Sequence, residues 1–271
     1  MIIHCLESGG LCVYTSIHYS ILLGIPGYRW DTELNGYGVF KESIRIGEHK
    51  IKIQKRKTGV VEYKRSIGEE IVASKIVLSP TRFELLPFYP VFLPKKITTY
   101  ILVYLAEEID VPPRKELDLY IKIPVDTAIY AYYQPHRFTI IDIFTENRVK
   151  YCLYGPPDRG IIARYAESSL FFKKPECVRG EAIVPLHIRN RLDSWTSIGK
   201  ILLDSQILKL YYENETWHAY TQHISMVVNS SVTASIYYGR RPRYELKPIH
   251  DPPDLRPPRL LAKTEMLWGL K

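Results

Sequence analysis

The sequence predicts a mainly β protein of two antiparallel β-sandwich domains, followed by a proline-rich C-terminal tail that ends in a short helix. From Tyr37 onward apolar residues recur at every second position, which is the period of a half-buried strand. The runs with this period are bounded by Gly, Pro, Asp or Asn, residues that favour turns. Before the tail, no stretch keeps the helical period of 3.6 residues over three turns.

The first domain is predicted over residues 36–154, and its clearest part is a meander. Apolar residues alternate over 44–46, the chain turns at Gly47–Glu48, alternation resumes over 51–53, and a second turn follows at Thr58–Gly59. About nine strands fit before residue 156. The later runs are "EEIVASKIVLS", "ITTYILVYLAEEIDV", "ELDLYIKIPV", "TAIYAYYQ", "RFTIIDIF" and "VKYCLYG".

The second domain is predicted over residues 155–245, as an immunoglobulin-like sandwich. The turn "GPPDRG" at Gly155–Gly160 separates it from the first domain. Strand patterns then recur at a spacing typical of antiparallel sandwiches, with Asn190, Asp204 and Asn214 in the turns. Residues 246–271 form the predicted tail.

Residues 1–35 fit the strand pattern poorly and are predicted to be an N-terminal extension. Leu34 immediately precedes the first clean strand. One hypothesis is therefore that translation starts at this leucine, and the alternative is that the extension completes the first domain.

The composition is that of a folded globular protein, with 46% hydrophobic and 24% charged residues. The formal net charge of +8 permits a polyanionic partner. Few amide residues beside many charged ones favour a thermophilic source. The sequence has no run of about 18 apolar residues and no basic stretch typical of a signal peptide, so a cytoplasmic location without a membrane span is predicted.

The cysteines do not form a CxxC pair and are interpreted as buried thiols. A disulfide between Cys152 and Cys177 is the alternative, because intracellular proteins of hyperthermophiles contain disulfides. His218 and His223 are five residues apart, which places them on opposite faces of a strand. No metal site is therefore predicted.

The sequence lacks phosphate-binding, dinucleotide-binding, serine-hydrolase and zinc-protease motifs. This favours a non-catalytic protein without a cofactor.

Arg159 and Arg164 in "GPPDRGIIARY" are candidates for binding an anion or another ligand in a cleft between the domains. The alternative is that the glycines and prolines of this segment only build a turn.

Two groups of basic residues are candidates for binding nucleic acid. One group lies on a hairpin and the other follows the last strand of the second domain. The alternative is that lysines on an edge hairpin prevent edge-to-edge aggregation. The residues are Lys50, Lys52, Lys55, Arg56, Lys57, Arg240, Arg241 and Arg243.

The apolar residues of the tail are candidates for docking on a partner. Their spacing predicts a short helix from about Arg259 to Trp268. The alternative is that the tail folds back over its own sandwich and covers an open edge. The residues are Leu260, Leu261, Leu267, Trp268 and Leu270.

Four segments carry a resemblance to a known family: "YGVFKESIRIGEHKIKI", "LPFYPVFLPKKITTYILVYLAEEIDVPP", "YCLYGPPDRGIIARY" and "VPLHIRNRLDSWTSIGKILLDSQILKLYYENE". Over roughly Tyr37 to Leu270 the chain resembles the archaeal family named domain of unknown function 432. The resemblance implies an archaeal origin and brings no catalytic residues.

Three functional hypotheses follow. The first is an accessory or regulatory subunit, or a homo-oligomer, that acts through protein contacts. The second is a nucleic-acid-associated protein, and the third is a ligand binder or an unfamiliar enzyme with a cleft near Arg159 and Arg164.

Overall fold

The structure is a computed structural model that describes residues 32–41, 43–56, 59–242, 245–252, 255 and 263–271. These residues form strands, turns and loops without a helix, so the mainly β class predicted from the alternating pattern is confirmed. Within the described ranges, no helix has the length and hydrophobicity that a membrane span requires.

The strands follow one another from the N-terminal to the C-terminal end of the described chain. The first are β1 (Thr32–Glu33), β2 (Gly38–Phe40), β3 (Ile44–Ile46), β4 (His49–Lys55), β5 (Val60–Ile67), β6 (Glu70–Leu78), β7 (Arg82–Phe88), β8 (Tyr100–Val111), β9 (Glu116–Pro124), β10 (Asp126–Gln134) and β11 (Arg137–Phe144). The others are β12 (Tyr151–Tyr154), β13 (Ile161–Ser168), β14 (Glu181–Asn190), β15 (Thr196–Asp204), β16 (Leu210–Tyr212), β17 (Ala219–Thr221), β18 (Ile224–Val228), β19 (Ala234–Tyr238), β20 (Lys247–Pro248) and β21 (Lys263–Met266).

The strands pair into four sheets. Sheet A has the order β1-β3-β4-β5-β6 and contains the predicted meander, and sheet B has the order β11-β10-β7-β2. Sheet C has the order β12-β13-β8-β15, in which β13 runs parallel to β8. Sheet D has the order β20-β16-β17-β14-β18-β19-β21, and β9 pairs with β14 in addition.

Strands from both sides of the predicted boundary at residues 154 and 155 pair with one another. β8 lies between β13 and β15, and β9 pairs with β14 along its length, from Glu116↔Arg189 to Pro124↔Glu181. All described residues belong to one compact unit, Asp31–Lys271, and one apolar core reaches from Tyr37 to Leu270. The predicted division into two sandwiches therefore does not follow the sheets, because a local turn signal carries no information on long-range pairing.

The C-terminal segment forms a strand where the leucine spacing predicts a helix. β21 pairs antiparallel with β19, from Ala234↔Met266 to Tyr237↔Lys263. It therefore covers an edge of sheet D, and this pairing supplies backbone partners that an isolated helical turn lacks. The helix is thus not present over 263–266, whereas Leu260 and Leu261 lie outside the described residues.

The last residues pack on the body of the protein. The backbone N–H of Trp268 donates to the Tyr154 hydroxyl at 3.1 Å, and this hydroxyl donates to the carbonyl of Gly269 at 3.0 Å. The amides of Gly199 and Lys200 both donate to the carbonyl of Leu270. Leu270 is buried, while the side chain of Leu267 is 53% exposed.

Gly155, at the start of the predicted "GPPDRG" turn, provides the surface for the Trp268 ring. Its φ of +108° is one that side-chain-bearing residues rarely adopt, and a Cβ at this position would lie 2.6 Å from the indole. The glycine therefore allows the close approach of the indole, in addition to shaping the turn.

Cys152 and Cys177 are both free thiols, so the disulfide considered from the sequence is not formed. Cys152 lies opposite Ala163 in the pairing of β12 with β13. The Cys177 thiol donates to the carbonyl of Glu181 at 3.3 Å and is buried. Cys177 agrees with the interpretation as a buried thiol, whereas Cys152 is only half-buried, and Cys5 and Cys12 lie outside the described residues.

We expect Leu270→Ala to lower the free energy of unfolding by about 2 to 5 kcal/mol, because it opens a cavity in the core. The exposed Leu267→Ala is the matched control and should change stability by less than about 0.5 kcal/mol. Urea denaturation of both variants measures the difference. Equal effects would show that the C-terminal residues do not pack on the body as described.

Candidate functional site

A pocket of about 240 Å³ opens where four elements meet. They are the end of β9, the β11–β12 connection, β13 and the beginning of β14. Its charged lining side chains are four cations and two anions, so the pocket favours negatively charged ligands. The cations are Lys122, Arg148, Lys150 and Arg164, and the anions are Glu167 and Glu181.

Gly180 connects these elements through hydrogen bonds to its backbone carbonyl. Its carbonyl accepts hydrogen bonds from the side-chain amide of Asn147 at 2.9 Å and from the backbone N–H of Val125 at 2.9 Å. Its φ is +83°, and a Cβ here would approach the Asn147 amide nitrogen to 3.2 Å. The glycine thus fixes the β11–β12 connection against the start of β14.

Arg164 lies in the middle of sheet C and contributes to the pocket lining. On β13 it is opposite Tyr151 of β12 and Ile101 of β8. The residue is only 1% exposed, and its Nε and Nη1 atoms have no hydrogen-bond partner in the described protein. Burial lowers the pKa of Arg164, with Asp126 and Tyr151 acting in the opposite direction. A guanidinium remains charged at neutral pH, so this charge is buried, and it has no ion-pair partner in the part of the chain that the structure describes.

Asp126, at the start of β10, is the carboxylate that acts on Arg164. It is 1% exposed, and neither carboxylate oxygen has a hydrogen-bond partner among the described residues. Burial raises the pKa of Asp126 from its usual 3.8 to about 7, against the effects of the Thr145 hydroxyl and the Arg164 charge. The Asp126 side chain is therefore partly protonated near neutral pH.

The other three cations of the pocket lining differ in their contacts and in their exposure to solvent. Lys122 pairs with Glu181 at 2.9 Å, and Lys150 lies 5.7 Å from the centre of the Tyr165 ring. Arg148 is exposed and forms no ion pair within the described residues. The pocket therefore has a buried cation at Arg164 and solvent-accessible cations beside it.

This arrangement is suited to binding an acid group. Buried charges in proteins are normally paired, because an unpaired one costs several kcal/mol. A guanidinium offers parallel N–H donors that match the oxygens of a carboxylate, sulfate or phosphate. An anion in the pocket would supply a counter-charge for Arg164.

The two arginines predicted as ligand residues are not brought together. Arg159 is exposed in its turn and pairs with the adjacent Asp158 at 3.1 Å, whereas Arg164 is buried at the pocket. Lys122, Asp126, Arg148 and Lys150 were not expected from sequence. The signal for Asp126 is an acidic residue that opens the continuous apolar run "DTAIYAYY".

The basic residues predicted to bind nucleic acid are divided between two sheets. Lys50 and Lys52 are exposed in sheet A beside the buried Ile51, as alternation predicts, and Lys55 is exposed near the end of β4. Arg56 pairs with Glu62 at 2.8 Å.

Arg240 and Arg241 follow β19 in sheet D, where the Arg241 guanidinium lies 5.6 Å from the centre of the Tyr211 ring. Lys57 and Arg243 lie outside the described residues. The described basic side chains thus do not form one continuous strip along a single sheet.

The histidines considered for metal binding have other environments. His218 Nδ1 lies 2.8 Å from a carboxylate oxygen of Glu213, and His223 is exposed. Within the described ranges, no three His, Cys, Asp or Glu side chains are grouped to hold a metal ion.

A family model described as "Protein of unknown function (DUF432)" matches residues 36–268. Comparison with curated proteins and with solved structures gives no significant match.

We expect the stability of the protein to decrease as pH rises from 5 to 8, because folded Asp126 holds a proton that the unfolded chain releases near pH 4. The raised pKa of about 7 corresponds to a loss of about 2 to 3 kcal/mol over this range. Asp126→Asn, which stays neutral, should lack this component. Urea denaturation at both pH values measures it, and parallel pH dependence in the two proteins would contradict the assignment.

Proposed function

The chain belongs to the family of proteins of unknown function DUF432, and we propose that it binds a small anionic ligand at Arg164. The observation that carries this proposal is an arginine that is 1% exposed, lines a pocket and has two side-chain nitrogen atoms without hydrogen-bond partners among the described residues. Structural arginines in protein interiors are satisfied by carboxylates or carbonyls. The positive charge of Arg164, which has no ion-pair partner among the described residues, supports an anionic ligand as the missing counter-charge.

The size of the pocket limits the ligand. A volume of about 240 Å³ is below the range of about 300 to 1,000 Å³ that is typical of drug-sized ligands. It accommodates a sulfate, a phosphate or a small carboxylic acid. The ligand class is therefore a compact anion with at least two acceptor oxygens on one centre.

The two exposed cations of the pocket, Arg148 and Lys150, have a different role from Arg164. Arg148 and Lys150 are exposed, so each contributes little binding energy in water. Their positive charge attracts anions towards the opening and raises the association rate. Arg164 provides directional hydrogen bonds in a buried environment, where charge-assisted bonds are stronger.

We expect Arg164→Gln to weaken binding of sulfate or phosphate by about 10- to 100-fold, because it removes charge-assisted bonds worth about 1.5 to 3 kcal/mol. Arg159→Gln, in the neighbouring turn, is the control and should bind like the wild type. Isothermal titration calorimetry at low ionic strength measures both. Unchanged affinity in a folded Arg164→Gln protein would refute the proposed site.

A double variant, Arg148→Gln with Lys150→Gln, tests the same pocket without replacing the buried arginine, whose substitution could impair folding. Both side chains are exposed, so the fold should be retained. We expect sulfate affinity to fall by about threefold to tenfold and to depend less on salt concentration.

A second candidate function, self-association, is favoured by β6. This strand is an edge of sheet A, and Ile71, Ile76 and Leu78 are 58%, 72% and 67% exposed. Long apolar edge strands pair readily with another strand. Antiparallel pairing of two β6 strands centred on Ser74 sets no like charges opposite each other.

We expect a dimer mass for the wild type and a monomer mass for Ile76→Lys in light scattering coupled to size-exclusion chromatography, because a charge on the apolar edge disfavours pairing. Val232→Lys is the control, since Val232 is 52% exposed outside β6. A monomeric wild type would contradict this second function and leave the anion site unaffected.

A further inference from the structure

Arg164 is adjacent to two different places that negative charge can occupy. It lines the pocket, and it interacts electrostatically with the buried carboxylate of Asp126. Asp126 itself does not line the pocket. A bound anion and an ionised Asp126 would therefore share one buried cation, and each would weaken the attraction of the other for it.

The groups that act on Asp126 come from three elements. Arg164 of β13 contributes a positive charge, and Thr145, which follows β11, contributes a hydroxyl. Tyr151 of β12 also interacts with Asp126, but its hydroxyl donates to the carbonyl of Leu93 at 2.7 Å. Arg164 is thus the charged group among the described residues through which Asp126 responds to the pocket.

The state of the carboxylate is sensitive to this environment. Both Asp126 oxygens are buried without hydrogen-bond partners among the described residues, and burial raises the pKa of this group to about 7. A modest change in nearby charge therefore changes its protonation at physiological pH. An anion in the pocket is such a change.

We infer that the anion-binding pocket is proton-coupled: anion binding at Arg164 is accompanied by proton uptake at Asp126, so acidic conditions favour the loaded pocket. The inference rests on the proposed function. The proton comes from solvent and binds a carboxylate oxygen of Asp126, while the anion takes over the compensation of the Arg164 charge. No bond other than this O–H bond is formed or broken.

The direction in which anion affinity changes with pH follows from thermodynamic linkage. When Asp126 is ionised, it compensates Arg164 and repels an incoming anion. When Asp126 is protonated, Arg164 lacks a counter-charge and attracts the anion more strongly. Anion affinity therefore rises as pH falls through about 7, and by reciprocity the bound anion raises the pKa of Asp126.

Sulfate is the appropriate probe, because its charge does not change between pH 6 and 8.5, whereas that of phosphate does. With a coupling factor of about ten, a moderate value for linked sites, we expect sulfate to bind about fivefold to tenfold more tightly at pH 6 than at pH 8.5. Near pH 7.5 each bound sulfate should take up about half a proton.

Calorimetry in two cationic buffers of different ionisation enthalpy, bis-tris and Tris, measures the proton uptake from the difference in binding heat. Asp126→Asn mimics the protonated carboxyl, so it should bind sulfate with equal affinity at both pH values and without proton uptake. The Arg159→Gln protein should retain the coupling of the wild type. The buffer comparison on the wild type requires no variant, which keeps the test valid if Asp126→Asn does not fold.

The possible failures are distinguishable. Arg164-dependent sulfate binding with equal affinity at pH 6 and 8.5, and equal heats in both buffers, would overturn the coupling and leave the proposed function intact. Full pH dependence in Asp126→Asn would assign the proton to another group and also overturn the coupling. Absence of sulfate binding at both pH values would overturn the proposed function itself.

Discussion

A buried positive charge has to be compensated, and Arg164 carries one that has no ion-pair partner among the described residues. Its strand lies between β8 and β12, and the residue is only 1% exposed. The carboxylate that acts on it is Asp126, which is itself buried and has no hydrogen-bond partner among the described residues. The two groups set the electrostatics of the pocket, and the other lining residues modify it.

The fold brings these two residues together through long-range pairing. Asp126 begins β10 in sheet B, and Arg164 belongs to β13 in sheet C. The Gly180 carbonyl connects the β11–β12 connection to Val125, the residue before Asp126. One glycine at a positive φ thus helps hold two sheets in the relation that creates the pocket.

A second glycine, Gly155, makes a close contact with the C-terminal residues. The segment "GPPDRGIIARY" predicts a possible anion site because it contains two arginines, Arg159 and Arg164. Gly155 instead lies against the Trp268 ring, and Arg159 pairs within the turn. The ligand prediction therefore applies to Arg164 alone, nine positions beyond the glycine.

The local residue pattern predicts the positions of most strands, but it does not predict which strands pair with one another. The segments "IIARYAES" and "EAIVPLHIRN" correspond to β13 and β14 residue for residue, because alternation and turn residues define a strand locally. The parallel pairing of β13 with β8 joins residues more than 60 positions apart, and no periodicity specifies it. In the tail, the local pattern does not predict the correct element. The seven-residue spacing of apolar side chains predicts a helix, but residues 263–266 form a strand because they pair with the edge strand β19.

The site was partly predictable for the same reason. Arg164 was identified as a cation near a turn, but its burial depends on sheet C and was not visible in the sequence. Asp126 stands before a run of apolar residues, a local conflict that often marks a functional position. Arg148 and Lys150 occupy a short connection that is held by contacts with residues distant in sequence, the hydrogen bond between Asn147 and Gly180 and the ion pair between Glu146 and Arg179.

Diffraction from crystals soaked in selenate tests the central claim most directly, because selenium identifies an anion by its anomalous scattering. An anion held by Arg164 predicts an anomalous peak in the pocket, with an oxygen atom about 3 Å from a nitrogen atom of the Arg164 guanidinium. A pocket that contains only water, with the Arg164 guanidinium directly bonded to the Asp126 carboxylate, would contradict it.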